Sequence, residues 1–392
     1  MSRVPRPGAG PTVVFLQDQP WQSMLQLSAA LRRHGVRTLR VGDVRSRDER
    51  LMTRWVFDAT ITLHDFLDAG FLDPRIADLQ CSEVDVALLA PLVADLRTPP
   101  VLAATLSHRL AHRDKLVVST LLRAAGVPVP DTWPADDLGA ALAVSGLPVV
   151  VKRRVGAGGS GVLVARDEDE VRAALGRWGP DVFLERYEAG PTHQYGAVHV
   201  GGEVVADVAS RSASVRGTHG PAARVVVDQD RRVLEVGRCA TGALGGTGLV
   251  NLDLQMGPHG PLVVDVNLRA WDSLVPLRGA GVDLVAPYVE TLGTAHRRSP
   301  YRRSPYRRTR SRYAGSFPAD VQGAVLAHRP LAALGRATVG VPRYLVWLGP
   351  GYVAHALWLV ALEWRGARRP GRRSGEVSPE TGGDGLACAR RR

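Results

Sequence analysis

Cysteine is scarce in this chain. Cys81, Cys239 and Cys388 are the three in 392 residues, odd in number and far apart. Such a set supports neither a disulfide framework nor a zinc site, so a reducing cytoplasm is the expected home. The opening MSRVPRPGAG lacks the apolar run of a secretion signal. No GxGxxG follows the first strand pattern and no glycine-rich loop ends in GK[ST], which argues against a dinucleotide fingerprint and a Walker A loop. There is no AMKM-type biotinylation sequence, and no Ser/His/Asp or Cys/His set is evident. Acidic residues are missing from one stretch altogether. Residues 297–312 carry eight arginines and no Asp or Glu; without those eight the formal charge falls from +12 to +4. The basicity therefore belongs to a linker and an arginine-rich tail beyond residue 365. No aromatic-studded basic module accompanies it, so no specific nucleic-acid partner is expected.

What is present reads as alternating strands and helices. Residues 12–16 (TVVFL) form a buried-strand pattern, 21–34 an amphipathic helix stopped by Gly35, and 36–41 a second strand. Further apolar runs at 59–63, 84–89 and 100–102 predict more strands, giving a small parallel α/β domain up to about residue 112. From 113 the pattern changes. Residues 114–125 predict a helix, and 148–152 a strand entering a glycine-rich loop. Strands follow at 182–184, 196–200 and 204–208, then a hairpin of 249–255 with 261–266 turned at Gly257-Pro258-His259-Gly260. Residues 283–292 predict the closing helix. RRSPY then occurs twice within 297–308. The apolar stretch 344–362 is broken by Gly349-Pro350-Gly351, leaving a helix from Tyr352 too short to span a bilayer. It is expected to dock on the protein or to lie on a membrane surface, with neighbouring arginines adding attraction to anionic lipid.

Four short segments carry chemistry. In VKRRVGAGGSGV (151–162), Lys152 puts a fixed positive charge beside Gly156, Gly158, Gly159 and Gly161, whose backbone can approach phosphate oxygens closely. A plain hairpin turn explains the loop alone equally well. Lys115 opens a helix, where the macrodipole disfavours a cation, so a nearby anion would account for it; a solvent-facing lysine is the alternative. In FLERYEAG (183–190), Glu185 ends a strand and Tyr187 follows, offering a hydrogen-bonding edge and an apolar wall suited to adenine. Taken alone it is a strand end with a surface charge. The fourth segment is NLDLQMGPHGPLVVDVNLR (251–269). Period-two alternation puts Asp265, Asn267 and Arg269 on one face, with Asp253 on the partner strand. Two carboxylates and an amide oxygen suit Mg²⁺, and the arginine beside them suits a phosphoryl or carboxylate oxygen. Two unpaired aspartates facing each other would repel, so a structural role alone explains them poorly.

The order Lys115, Lys152 with its glycine loop, Glu185, Asp253 and Asp265-x-Asn267-x-Arg269 resembles the ATP-grasp superfamily, in particular its carbamoyl-phosphate synthetase-like ligases. The likeness covers about residues 10–295, including the closing GAGVDLVAPYVETLG. It implies an α/β and α+β fold. A disordered start (1–10) precedes a preATP-grasp parallel α/β domain (11–112) and a two-lobed ATP-grasp domain (113–296, divided near 184). A basic linker (297–313), an apolar helical region (314–365) and a basic tail (366–392) follow.

The same resemblance implies roles. Lys115 and Lys152 would contact the α- and β-phosphates of ATP, and Gly158, Gly159, Ser160 and Gly161 would form a lid over the β/γ-phosphates. Glu185 with the Arg186–Tyr187 backbone would hold adenine. Asp253, Asp265 and Asn267 would hold one or two Mg²⁺ ions, with Mn²⁺ as a substitute; Arg269 would steady the transferring phosphoryl group, and Arg216 falls in a loop that would face the acyl-phosphate. Three positions depart from the family's pattern: Asp265 for the usual glutamate, Leu268 for proline, and Thr192 for the ribose-binding glutamate, whose task would pass to His193 or Gln194. The implied activity joins a small carboxylic acid to an amine through an acyl-phosphate. A phosphotransferase and a non-catalytic ATP-binding scaffold are the alternatives.

Overall fold

The computed structural model describes residues 10–17, 21–44, 53–68, 73–159, 161–215, 222–293, 313–315, 341–342, 344–354 and 356–357. Ser160, Arg216, the RRSPY repeat and the tail lie outside the described residues.

The amino-terminal sheet is parallel. Strands Thr12–Leu16 (β1), Arg37–Val41 (β2), Ala59–Ile61 (β3) and Ile76–Gln80 (β4) lie in the order β3-β2-β1-β4. Every residue of β1 is buried, as its unbroken apolar run requires of a strand covered on both faces. Helices Gln22–Arg33 (α1), Leu63–Asp68 (α2) and Pro100–Ala111 (α3) belong to this domain.

Two of the expected strands are not strands. Residues 84–89 lie in a 3₁₀ helix, Asp85–Val93, and 100–102 open α3, where Pro100 takes the first helical turn that tolerates its missing N–H. The fourth strand is β4, whose sequence IADLQ carries two polar side chains and so lacks an apolar run. Those side chains are buried and satisfied. Asp78 accepts from Tyr288 at 2.5 Å and from Gln80 at 2.8 Å, and pairs with Arg109 at 3.4 Å.

Helix Lys115–Ala124 (α4) follows, with the Asp114 carboxylate capping the Leu116 and Val117 amides at 3.0 and 3.3 Å. A small antiparallel sheet comes next, built from Thr132–Pro134 (β5), Val149–Arg153 (β6), Val162–Ala165 (β7) and Val182–Arg186 (β8) in the order β5-β8-β6-β7. Helices Leu138–Ser145 (α5) and Glu168–Trp178 (α6) seal one face through Ala141, Val171 and Ala174.

The largest sheet has six strands in the order β13-β12-β9-β10-β11-β14. They are Thr192–Val200 (β9), Glu203–Val215 (β10), Ala222–Val227 (β11), Thr247–Gly257 (β12), Gly260–Asn267 (β13) and Tyr313–Gly315 (β14). Helix Arg231–Leu244 (α7) packs on one face with Val118 and Leu122 of α4. The other face shares a core with α1 and with helix Val285–Gly293 (α8). The expected hairpin at Gly257–Gly260 is β12–β13.

The described part of the carboxy-terminal apolar segment, 344–354 and 356–357, is docked on the protein. Helical assignment continues through Gly349-Pro350-Gly351, with Gly349 in the left-handed region at φ +81°. Tyr344, Leu348, Tyr352, Val353 and Ala356 are buried in the core shared with α1, so this face is not free for a membrane surface. Among the described residues, no helix is long and apolar enough to cross a membrane.

Candidate active site

The small sheet and the six-stranded sheet face each other across a cleft of about 940 Å³. Lys115, Lys152, Gly158, Gly159, Gly161, Glu185, Arg186, Tyr187, Asp253, Asp265, Asn267 and Arg269 all line it. These residues span 155 positions of sequence, and each arrives on a separate local device.

Lys152 sits at the end of β6, opposite Val162 of β7, so the loop joining the two strands projects over the cleft. Gly158 and Gly159 have φ of +67° and +77°, the left-handed region that glycine enters without steric cost. A Cβ on Gly161 would lie 2.9 Å from the Arg153 side chain, so that position also requires glycine. The Lys152 ammonium donates to Glu185 of β8 and, at 3.0 Å, to the Val264 carbonyl of the opposite sheet. Burial pushes the Glu185 carboxyl upward, and the Lys152 charge offsets only part of that shift. Beyond Glu185, Arg186 is tied to Asp131 at 2.9 Å and Glu188 at 2.8 Å, which orients the backbone leading to the exposed Tyr187.

The anionic face lies on β12 and β13. Their register places Asp253 opposite Asp265 and Asn251 opposite Asn267, so the two carboxylates are true cross-strand neighbours. They do not share one state. For Asp265, burial would raise the pKa, but the Lys115 charge and hydrogen bond, helped by Lys152 and Arg269, outweigh it and hold the group below the usual carboxylate range. Asp253 has no such partner: burial and then the Asp265 charge push it up to about 6, against a 3.1 Å hydrogen bond from Gln194. Lys115 thereby gains a physical reason for its place at a helix amino terminus. Burial would lower its pKa, yet the Asp265 and Glu83 carboxylates hold it above the ordinary value.

A second cation would neutralise the Asp253–Asp265 face, and its oxygen donors are hard ones. Among the described residues no three His, Cys, Asp or Glu side chains converge as a cage. The chemistry of the donors present, two carboxylates and an amide oxygen, is of the kind that fits a magnesium ion.

Arg269 follows this face and is fixed on all sides. It donates to Asn267 at 2.8 Å, to Glu83 at 3.1 Å and to the Ala270 carbonyl at 3.2 Å, and its guanidinium lies 4.8 Å from the Trp21 ring centroid. Glu83 comes from the amino-terminal domain, and no motif in the sequence marks it. Trp21 and Trp271 also line this end. A Cβ on Gly196 would lie 2.3 Å from the Trp271 ring, so glycine there is what lets the indole sit against β9.

The ribose substitutes expected from sequence are not placed as expected. His193 is absent from the cleft lining and faces Asp228, 3.4 Å away. Gln194 lines the cleft but belongs to the acidic face, donating to Asp253 and accepting from Ser273 at 3.3 Å. Alternation along β9 is the cause: Thr192 and Gln194 share the cleft face, and His193 points away. Thr192 itself donates to Gln255 at 3.1 Å, and both line the cleft.

No protein-family model matches the chain. It is 32% identical over 181 residues to the uncharacterized protein y4rH of Sinorhizobium fredii, covering 40% of this chain and 36% of that one. It is 31% identical over 196 residues to a D-alanine–D-alanine ligase of Gloeobacter violaceus, covering 43% of this chain and 65% of the ligase. The chain thus spans about a third of the first relative's length and just under two thirds of the second's. Among solved structures it is similar to carboxyaminoimidazole ribonucleotide synthase of Aspergillus clavatus complexed with ATP. The TM-score is 0.59 at 13% identity, over 74% of this chain and 79% of that one. At that identity the likeness is one of architecture. The chain has the ATP-grasp fold, a parallel α/β domain followed by two sheets that close on a nucleotide-sized cleft.

Proposed function

We propose that this protein is an ATP-dependent carboxylate–amine ligase that uses Mg-ATP and passes through an acyl-phosphate. The observation that carries this reading is the cross-strand pair Asp253–Asp265, flanked by Asn267 and Arg269 and facing Lys152 and the glycine loop across the cleft. Cation and anion clusters so opposed suit a triphosphate bridged by a metal. The D-alanine–D-alanine ligase resemblance supports the same class.

In this reading Glu185 and the Arg186–Tyr187 backbone receive adenine, and Lys152 with the Gly158–Gly161 loop receives the phosphates. Asp253, Asp265 and Asn267 would hold Mg²⁺, which when bound supplies charge neutralisation on the β- and γ-phosphate oxygens. Arg269, locked by Glu83, Asn267 and Trp21, presents a preorganised positive charge beside the transferring group. A substrate carboxylate oxygen bonds to the γ-phosphorus as the bond to the β-phosphate oxygen breaks, releasing ADP. The amine nitrogen then attacks the acyl carbon, the carbon–oxygen bond to phosphate breaks, and the nitrogen gives up its proton. Positioning and charge do this work, and no protein nucleophile is required.

The test is hydroxylamine trapping. The full chain with Mg-ATP is offered a panel of amino acids and small carboxylic acids. A hydroxamate formed in step with ADP supports the ligase. ADP with a stable phosphoester and no hydroxamate identifies a phosphotransferase, and nucleotide binding without ADP release identifies a scaffold.

A further inference from the structure

We propose that Tyr352, from the docked carboxy-terminal segment, is a positioning residue for the acid-binding end of the cleft, acting through Gln22. The inference rests on the ligase reading and assigns part of its specificity. Gln22 is the first residue of α1, beside Trp21, and both line the cleft at the Arg269 end. That end lies past the metal face on the same strand run, where a carboxylate attacking the γ-phosphorus must come from.

Tyr352 is fully buried. Its hydroxyl accepts from the Gln26 amide at 2.9 Å and donates to the Gln22 carbonyl oxygen at 3.1 Å. The relay holds the Gln22 side chain by its oxygen against the Tyr352 hydroxyl. With the Gln22 oxygen engaged, its NH₂ group has no partner among the described residues, and the residue lines the cleft. Both N–H donors of Gln22 are therefore open to a ligand, and a group carrying a carbonyl or carboxylate oxygen is what they can receive.

The relay is rigid because the segment bearing Tyr352 is. Tyr344 stacks on Tyr352 with centroids 5.9 Å apart and planes 21° from parallel. A Cβ on Gly351 would lie 2.8 Å from the Trp55 carbonyl, so the segment is pressed against the body of the protein. A buried hydroxyl with a donor and an acceptor on consecutive turns of one helix is more than packing demands; phenylalanine would fill the same space.

The test uses the full chain and three variants, Tyr352→Phe, Gln22→Met and the double. The acid is the panel member that releases most ADP with Mg-ATP. Tyr352→Phe is expected to raise KM for the acid about tenfold, leaving kcat and KM for ATP within about twofold. Gln22→Met should do the same, and the double variant should lose no more than Gln22→Met alone, because both remove one unit. Additive losses, or equal changes in both KM values, would mean Tyr352 is a packing residue and overturn the proposal. A second measurement needs no identified substrate. The Gln22 side-chain amide resonance, assigned by its loss in Gln22→Met, is followed by ¹H–¹⁵N NMR while acetate is titrated as a carboxylate probe. It should move in the wild type and respond several-fold less in Tyr352→Phe; no movement in the wild type, or equal movement in both, refutes the assignment. If no acid in the panel drives ADP release, the ligase reading fails while the NMR result still decides the role of Tyr352.

Discussion

Two clusters of buried charge can be set side by side in this molecule. The first joins the parallel sheet to α8. Asp78 accepts from Tyr288, Gln80 and its neighbour's amide, and pairs with Arg109, while Ala270 N donates to Gln80. The second lines the cleft, where Asp265, Lys115, Lys152 and Glu185 pair off and, among the described residues, Asp253 meets one neutral donor, Gln194. In the first cluster the carboxylate is surrounded by protein donors, and its task ends with folding. In the second, burial and then the Asp265 charge push the Asp253 carboxyl up to about 6, and the Gln194 hydrogen bond and the Lys115 and Arg269 charges offset only part of this. Burial alone does not single out a carboxylate; burial without full compensation sets Asp253 apart from Asp78.

The largest expected effect that would sharpen this contrast is on stability. Asp78→Ala leaves Arg109 buried without its partner and should cost about 3–5 kcal/mol by denaturant unfolding. Nucleotide affinity of the folded fraction should stay within about twofold. A large loss of nucleotide affinity at unchanged stability would erase the distinction between the clusters.

In the cleft, Asp265→Asn should slow turnover by about 10²–10³-fold, roughly 3–4 kcal/mol of barrier, with the unfolding midpoint little changed. An active Asp265→Asn enzyme would contradict the metal face. Next in size, Lys152→Ala should weaken nucleotide binding about thirty- to a hundredfold, about 2–3 kcal/mol, measured by calorimetry.

The smallest effect concerns pH. In the proposed site Mg²⁺ would bind the deprotonated Asp253, so protons would compete with it below about pH 6. Apparent Mg²⁺ affinity should therefore fall about tenfold per pH unit below 6 and level off above it. Asp253→Asn should abolish that dependence and raise the Mg²⁺ requirement at every pH. A flat profile in the unaltered protein would show that Asp253 is not a ligand.

Much of this architecture was legible in the residues, and what was not has identifiable causes. The β12–β13 hairpin announces itself by alternation and by the Gly257–Gly260 turn, so the shared face of Asp253, Asp265 and Asn267 followed from strand period. The β4 strand did not, because Asp78 and Gln80 make it look like a polar connector until their distant partners Tyr288 and Arg109 are known. Glu83 and Trp21 were invisible for the same reason: each meets Arg269 only through tertiary packing. Residues 84–89 and 100–102 are apolar enough for strands, yet Pro91 and Pro100 belong to helical turns there. The apolar carboxy-terminal run looks the same whether its partner is lipid or protein, and only its packing decides, through buried Tyr344, Leu348, Tyr352, Val353 and Ala356 and the Tyr352 hydrogen bonds.

The central claim is that the acidic face, the lysines and Arg269 serve carboxylate activation. The most direct measurement is oxygen transfer. With an acid that drives ADP release, its carboxylate is labelled with oxygen-18 and the released phosphate is analysed by mass spectrometry or ³¹P NMR. An acyl-phosphate route carries one labelled oxygen from the acid into phosphate for each amide formed. Unlabelled phosphate, released in step with ADP and product, would contradict it.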